Sequence, residues 1–200
     1  MGIHLWFWLF LGAVISGIFY ALAKWCSQFR SRTLDEVLPF LRQINHPELE
    51  EFFDPVKERE ALRFCGNKRR ARRARLDLAR EYLRRMFHNS MVVFQWANPE
   101  YACMRKEPEA FDALTKARIT ELRQASMLFY NVAFFVLAEM NFWLLISSIR
   151  WLPVPVPSAA ELRRFASLDL LDAYKQVKTA AAELASFFGE DEARLILEIM

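Results

Sequence analysis

Six of the eight residues from Lys68 to Arg75, in the run KRRARRAR, are basic. A guanidinium is always ionised, is weakly hydrated and presents a planar fork of donors to phosphate or carboxylate oxygens. The chemistry open to this cluster is recognition of an anion. The candidate residues are Lys68, Arg69, Arg70, Arg72, Arg73 and Arg75, with Arg80 and Arg84 further along. One possible partner is the anionic inner leaflet of a membrane, where each basic side chain near the surface contributes about 1 kcal/mol. An acidic protein surface is another. Nucleic acid is not expected: arginine suits phosphate contacts, but no helix-turn-helix, zinc-finger or RNP pattern accompanies the run. A fourth reading needs no ligand. ELEEFFDPVKERE, Glu48 to Glu60, holds six acids against two bases and can fold back on the run.

Other reactive side chains carry weaker signals. His4, His46 and His88 are isolated, and Cys26, Cys65 and Cys103 show no CxxC spacing, so no metal or redox site is expected. Reduced thiols are the simplest reading, with Cys26 a possible palmitoylation site. Phosphate-binding loops, dinucleotide fingerprints, zinc-protease motifs and nucleophile elbows are all missing. The expectation is a protein that is not an enzyme and uses no cofactor.

These residues need elements to hold them. Ile3 to Ala23 is a stretch of 21 residues without Lys, Arg, Asp or Glu, and about 20 apolar residues span a bilayer core. Trp6, Trp8, Tyr20 and Trp25 sit near its ends, where aromatic rings favour the interface. No Lys or Arg precedes it, while Lys24, Arg30 and Arg32 come after it. The positive-inside rule then predicts a single-pass anchor in the cytoplasmic membrane, residues 1–25, with the amino terminus outside and the rest in the cytosol. A cleaved signal peptide is the competing reading, since Ala21-Leu22-Ala23 resembles a cleavage site, but the basic n-region is missing.

Residues 26–66 read as a linker of short helices and loops. Thr33 and Glu36 suggest a capping box, Asp54 a cap, and Pro47 and Pro55 first-turn prolines. Asn67 is placed to cap the first long helix. Three long helices are predicted in all, at about 68–97, 109–151 and 159–188. Pro99 ends the first in this reading, PVPVP (Pro153 to Pro157) ends the second, and Ser158 with Glu161 caps the third. Ala166, Leu170, Ala173, Val177, Ala180, Leu184 and Phe187 alternate steps of four and three, a seam suited to packing along another helix. Short connections make the fold all-α: an N-terminal transmembrane helix, then an antiparallel three-helix bundle over 67–200. No strand pattern is evident.

The second long helix holds an ambiguity. Ala125 to Ile149 carries one charge, Glu139, in 25 residues. A central acid costs about 2.5–3.5 kcal/mol on the insertion scale, while each Leu or Phe returns about 0.3–0.6. That balance favours the central helix of a soluble bundle, apolar all round. Net charge +3 conceals a local +8 over residues 63–85, leaving −5 for the remainder. Together these features predict a membrane-anchored interaction module: a scaffold, adaptor or accessory subunit. Its basic face would turn toward anionic lipid or an acidic partner, and helix packing would join it to a protein partner or a second copy. The alternative is a two-span subunit with Glu139 in a proton or ion path.

Overall fold

A computed structural model describes residues 34–149, 156–165 and 168–200. The anchor expected over Ile3–Ala23, the Thr33 cap and Cys26 lie outside the described residues. Short helices come first: α1 (Leu34–Val37), a 3-10 turn (Leu38–Phe40), α2 (His46–Phe52) and α3 (Pro55–Arg63). Asn45 and Asp54 cap α2 and α3 by accepting the Glu48 and Val56 amides. Pro47 and Pro55 stand in the first turns, where a missing N–H costs no helical bond.

Two long helices come next, α4 (Lys68–Lys106) and α5 (Ala113–Ser148), of 39 and 36 residues. Asn67 caps α4 by accepting the Arg70 amide at 3.0 Å. Asp112 caps α5 by accepting the Thr115 amide at 2.6 Å, so this helix starts four residues later than the predicted 109, after a 3-10 turn at Pro108–Ala110. Bonds from Arg80 to Asn141 and from Arg123 to Asn98 connect opposite ends of the pair, so α4 and α5 run antiparallel.

The predicted stop at Pro99 does not occur. Proline deletes one backbone bond in a helix interior and normally kinks or breaks it. Here Arg123 of α5 clamps the surrounding turns of α4. It donates to Asn98 Oδ1, and its guanidinium lies 3.7 Å from the Tyr101 ring centre and 5.2 Å from that of Phe94. Tertiary contact on both sides of the proline holds the helix through to Lys106.

The third predicted helix is also corrected. It divides into α6 (Ala159–Leu162), a two-residue antiparallel pair β1 (Arg164–Phe165) and β2 (Leu168–Asp169), and α7 (Leu170–Ala185). The Ser158–Glu161 capping box forms in both directions. A second cap then restarts the helix. Asp169 accepts the Leu171 amide at 2.9 Å and pairs with Arg163 at 2.6 Å. Leu170, Ala173, Val177, Ala180 and Leu184 of the seam are buried, whereas Phe187 lies past the helix end and is exposed. α8 (Glu190–Ile199), of ten residues, follows the predicted helices as a further helix.

The described chain is mostly helical, the all-α class expected. α5 lies between α4 and α7. Its Phe129 ring meets Tyr174 of α7 at 5.2 Å, and Arg118 pairs with Glu183, so α5 and α7 are antiparallel as well. The 34–53 segment closes the far side. Ile44 N–H donates to Ile199 C=O at 3.0 Å, joining the start of the described chain to its end.

Candidate functional site

Eight cationic side chains were expected to act as one anion-binding face; the fold divides them. Lys68 to Arg75 occupy the first turns of α4, where the helix macrodipole is itself positive and opposes them. Part of the run is spent on offsetting that repulsion. Arg72 pairs with the buried Glu58 of α3 at 3.4 Å and reaches the Val156 carbonyl at 3.5 Å. Arg75 donates to the Glu51 carbonyl at 3.0 Å and lies over the Phe52 ring at 5.4 Å. Arg69 reaches back to the Ser147 carbonyl of α5 at 3.4 Å. The acidic segment does fold onto the run, but mostly through backbone carbonyls.

Arg70, Arg73, Arg80 and Arg84 remain. With Asp77 they recur at steps of three and four, so they form one row along α4. Arg70, Arg73 and Arg84 are exposed and, among the described residues, have no ion-pair partner. Arg80 pairs with Asp77 and donates to Asn141 at 3.3 Å. Lys68 is exposed at the start of the helix. Arg70, Arg73, Asp77 and Arg80 line a groove of about 600 Å³, whose other wall is Asn141, Leu144, Leu145 and Ser148 of α5. The groove is mainly cationic on one side, and on the other two leucines stand between Asn141 and Ser148.

The apolar wall continues outward. Leu145 is 68% exposed, and Phe142, Phe134 and Met127 are each more than half exposed at helical spacing along α5. Monomeric proteins seldom leave a row of large apolar side chains uncovered. Sequence reasoning missed this face. Its signal was present: α5 carries Phe and Leu at more angles than its two packing neighbours can bury. Among the described helices, α5 is the one long and apolar enough to cross a membrane, with a mean hydropathy of 1.6 over its most apolar window. Glu139 is exposed on α5 and has no basic partner among the described residues.

His46 and His88 lie elsewhere, and His4 is outside the described residues. His46 Nε2 accepts from Lys178 Nζ at 2.7 Å, and His88 Nε2 donates to the Phe40 carbonyl at 2.9 Å. Partial burial lowers both imidazoles below the usual histidine range, and for His46 the adjacent Lys178 adds to the effect. A lowered folded-state pKa means the unfolded chain takes up protons first. The stability this provides is therefore complete above about pH 6.5 and lost as pH falls below it. The urea midpoint is expected to drop from pH 8 to pH 6, and the combined His46→Gln and His88→Gln substitutions to flatten that drop; an equal slope in the variant would refute it. Cys65 and Cys103 are free thiols.

No protein-family model, curated protein or solved structure matches the chain.

Proposed function

We propose that this chain is a membrane-anchored helical interaction module that lays the α4–α5 edge of its bundle on an anionic bilayer. Ile3–Ala23 is the anchor in this reading, with the amino terminus outside and the bundle in the cytosol. The observation that carries it is the shared edge. Arg70, Arg73 and Arg80 line one side of a groove and Leu144 and Leu145 the other, and exposed Phe142, Phe134 and Met127 extend the apolar surface along α5. Headgroup phosphates suit the guanidinium side, and the upper acyl region suits Phe142 and Leu145. Such pairing of charge with an apolar strip is what holds interfacial helices to acidic lipid. The seam on α7, by contrast, is occupied inside the chain. A bundle held at fixed height and orientation suits a scaffold or accessory-subunit role.

The two-span alternative gains less support. An acid in an intramembrane path faces a bundle interior or a water-filled cavity, and Glu139 faces outward from α5.

The test reconstitutes the full chain into vesicles containing phosphatidylglycerol, or phosphatidylcholine alone, with a photoactivated carbene precursor dissolved in the hydrocarbon. Labelling at Phe134, Phe142 and Leu145 is expected in the anionic vesicles, several-fold above that in the neutral ones. Equal labelling of α5 in both lipids supports a crossing instead. No labelling beyond residues 3–23 removes the docking edge.

A further inference from the structure

The charge balance of the arginine groove narrows what can occupy it. Its lining holds three guanidiniums, those of Arg70, Arg73 and Arg80, and one carboxylate, that of Asp77. Asp77 pairs with Arg80, which also donates to Asn141 Oδ1 at 3.3 Å. Within the groove that pair neutralises itself. Two positive charges are left over, on Arg70 and Arg73.

These two are placed to act on one anion. Residues three apart on a helix are neighbours, about 5–6 Å between Cβ atoms, and both side chains line the same groove. Like charges at this spacing repel, and Arg70 also stands in the first turn of α4, at the positive end of the helix dipole. The fold relieves the arginines on the inner face: Arg72 pairs with Glu58, and Arg75 donates to the Glu51 and Phe52 carbonyls. It gives Arg70 and Arg73 no ion-pair partner among the described residues. An anion in the groove would relieve both. Across from them, the bond from Arg80 occupies the Asn141 oxygen, and the Asn141 amide nitrogen makes no hydrogen bond among the described residues. It is a further donor on the opposite wall.

We infer that the groove is a binding site for a lipid phosphate monoester, the headgroup of phosphatidic acid, with Arg70 and Arg73 on its terminal oxygens. The inference rests on the membrane-docking reading above and names the lipid class that the edge selects. A phosphate monoester carries about −1.5 to −2 charge near neutral pH and has three strong acceptor oxygens, which matches the two uncompensated guanidiniums. The diester of phosphatidylglycerol carries a single charge and leaves one of them unanswered. Guanidinium forks meet phosphate oxygens two at a time. Leu145, on the facing wall and 68% exposed, offers apolar contact to the first carbons of an acyl chain. That contact favours a lipid over a soluble phosphate ester.

Native mass spectrometry of the full chain in detergent micelles provides the test. The probes are phosphatidic acid, phosphatidylglycerol with the same acyl chains, and glycerol 3-phosphate. One phosphatidic acid per chain is expected. Its affinity should exceed that of phosphatidylglycerol by about tenfold, the worth of one added charge-assisted bond at an exposed site. Glycerol 3-phosphate should bind far more weakly. Replacing Arg70 and Arg73 together with Gln should bring phosphatidic acid down to the level of phosphatidylglycerol. Arg84→Gln, exposed on the same row but outside the groove lining, should leave the preference intact. Equal affinity for the two lipids, glycerol 3-phosphate binding as tightly as phosphatidic acid, or a preference that survives the double substitution each overturns the assignment. Equal affinity with carbene labelling of Phe142 and Leu145 retained in anionic vesicles overturns this assignment alone and leaves the docking edge standing. Loss of that labelling removes both.

Discussion

Replacing Arg70 and Arg73 together with Glu is expected to lift the α4–α5 edge off an anionic bilayer, shifting the docked-to-undocked ratio by about a thousandfold. Each basic side chain near such a surface contributes about 1 kcal/mol, and reversing its sign adds a repulsion of similar size. Two reversals therefore amount to about 4 kcal/mol, at 1.4 kcal/mol per factor of ten. The bundle should survive. Both side chains are exposed and neither has an ion-pair partner among the described residues. Placing acids in the first turns of α4 also suits the helix dipole. Carbene labelling of Phe142 and Leu145 in phosphatidylglycerol vesicles is the readout, and circular dichroism checks the fold. Unchanged labelling with unchanged helicity would end the docking proposal. Arg75→Gln is the contrast. Arg75 is committed to the Glu51 and Phe52 carbonyls, so its loss should lower stability and leave labelling nearly intact.

Asn89→Leu is expected to cost about 3–4 kcal/mol of folding stability, a large share of the 5–15 kcal/mol typical of a domain. Asn89 of α4 is completely buried. Its side-chain oxygen accepts the Arg42 N–H at 2.8 Å, and its amide nitrogen donates to the Arg42 C=O at 2.7 Å and toward Tyr174 Oη at 3.3 Å. Leucine keeps the branching at Cγ and the number of heavy atoms, is somewhat larger, and offers none of these bonds. The loss strands polar groups of Arg42 and the Tyr174 hydroxyl, at about 1–3 kcal/mol for each buried group left unpaired. Burial already pushes the Tyr174 hydroxyl well above the usual tyrosine range, so ionisation offers no escape. Chemical denaturation measures the total. Limited proteolysis should also show faster cleavage near Gln43, because the 34–53 segment loses its tie to α4. A change within 0.5 kcal/mol would show that the network contributes little.

Asn89 also marks where sequence reading stops. It lies among residues at helical spacing, and nothing in its neighbours distinguishes a solvent-facing amide from one that grips a distant backbone. Its partner is 47 positions away in the chain. The arginine run is similar. Composition identified an anion-seeking cluster, but Arg72 and Arg75 are committed to α2 and α3, and only contact decides which members stay free.

The amino-acid order by itself determined the helical class, the caps at Asp54, Asn67 and Ser158, and the buried row from Leu170 to Leu184. These depend on 3.6-residue periodicity and on side chains bonding amides two or three positions away, which are local interactions. Tertiary structure decided what opposes local preference or joins distant segments. α4 continues through Pro99 because Arg123 grips both sides of it. The last predicted helix breaks because Asp169, held by Arg163, caps a new start. The outer row of α5 is bare because α4 and α7 cover only part of its circumference, a fact of packing that no single helix's sequence contains.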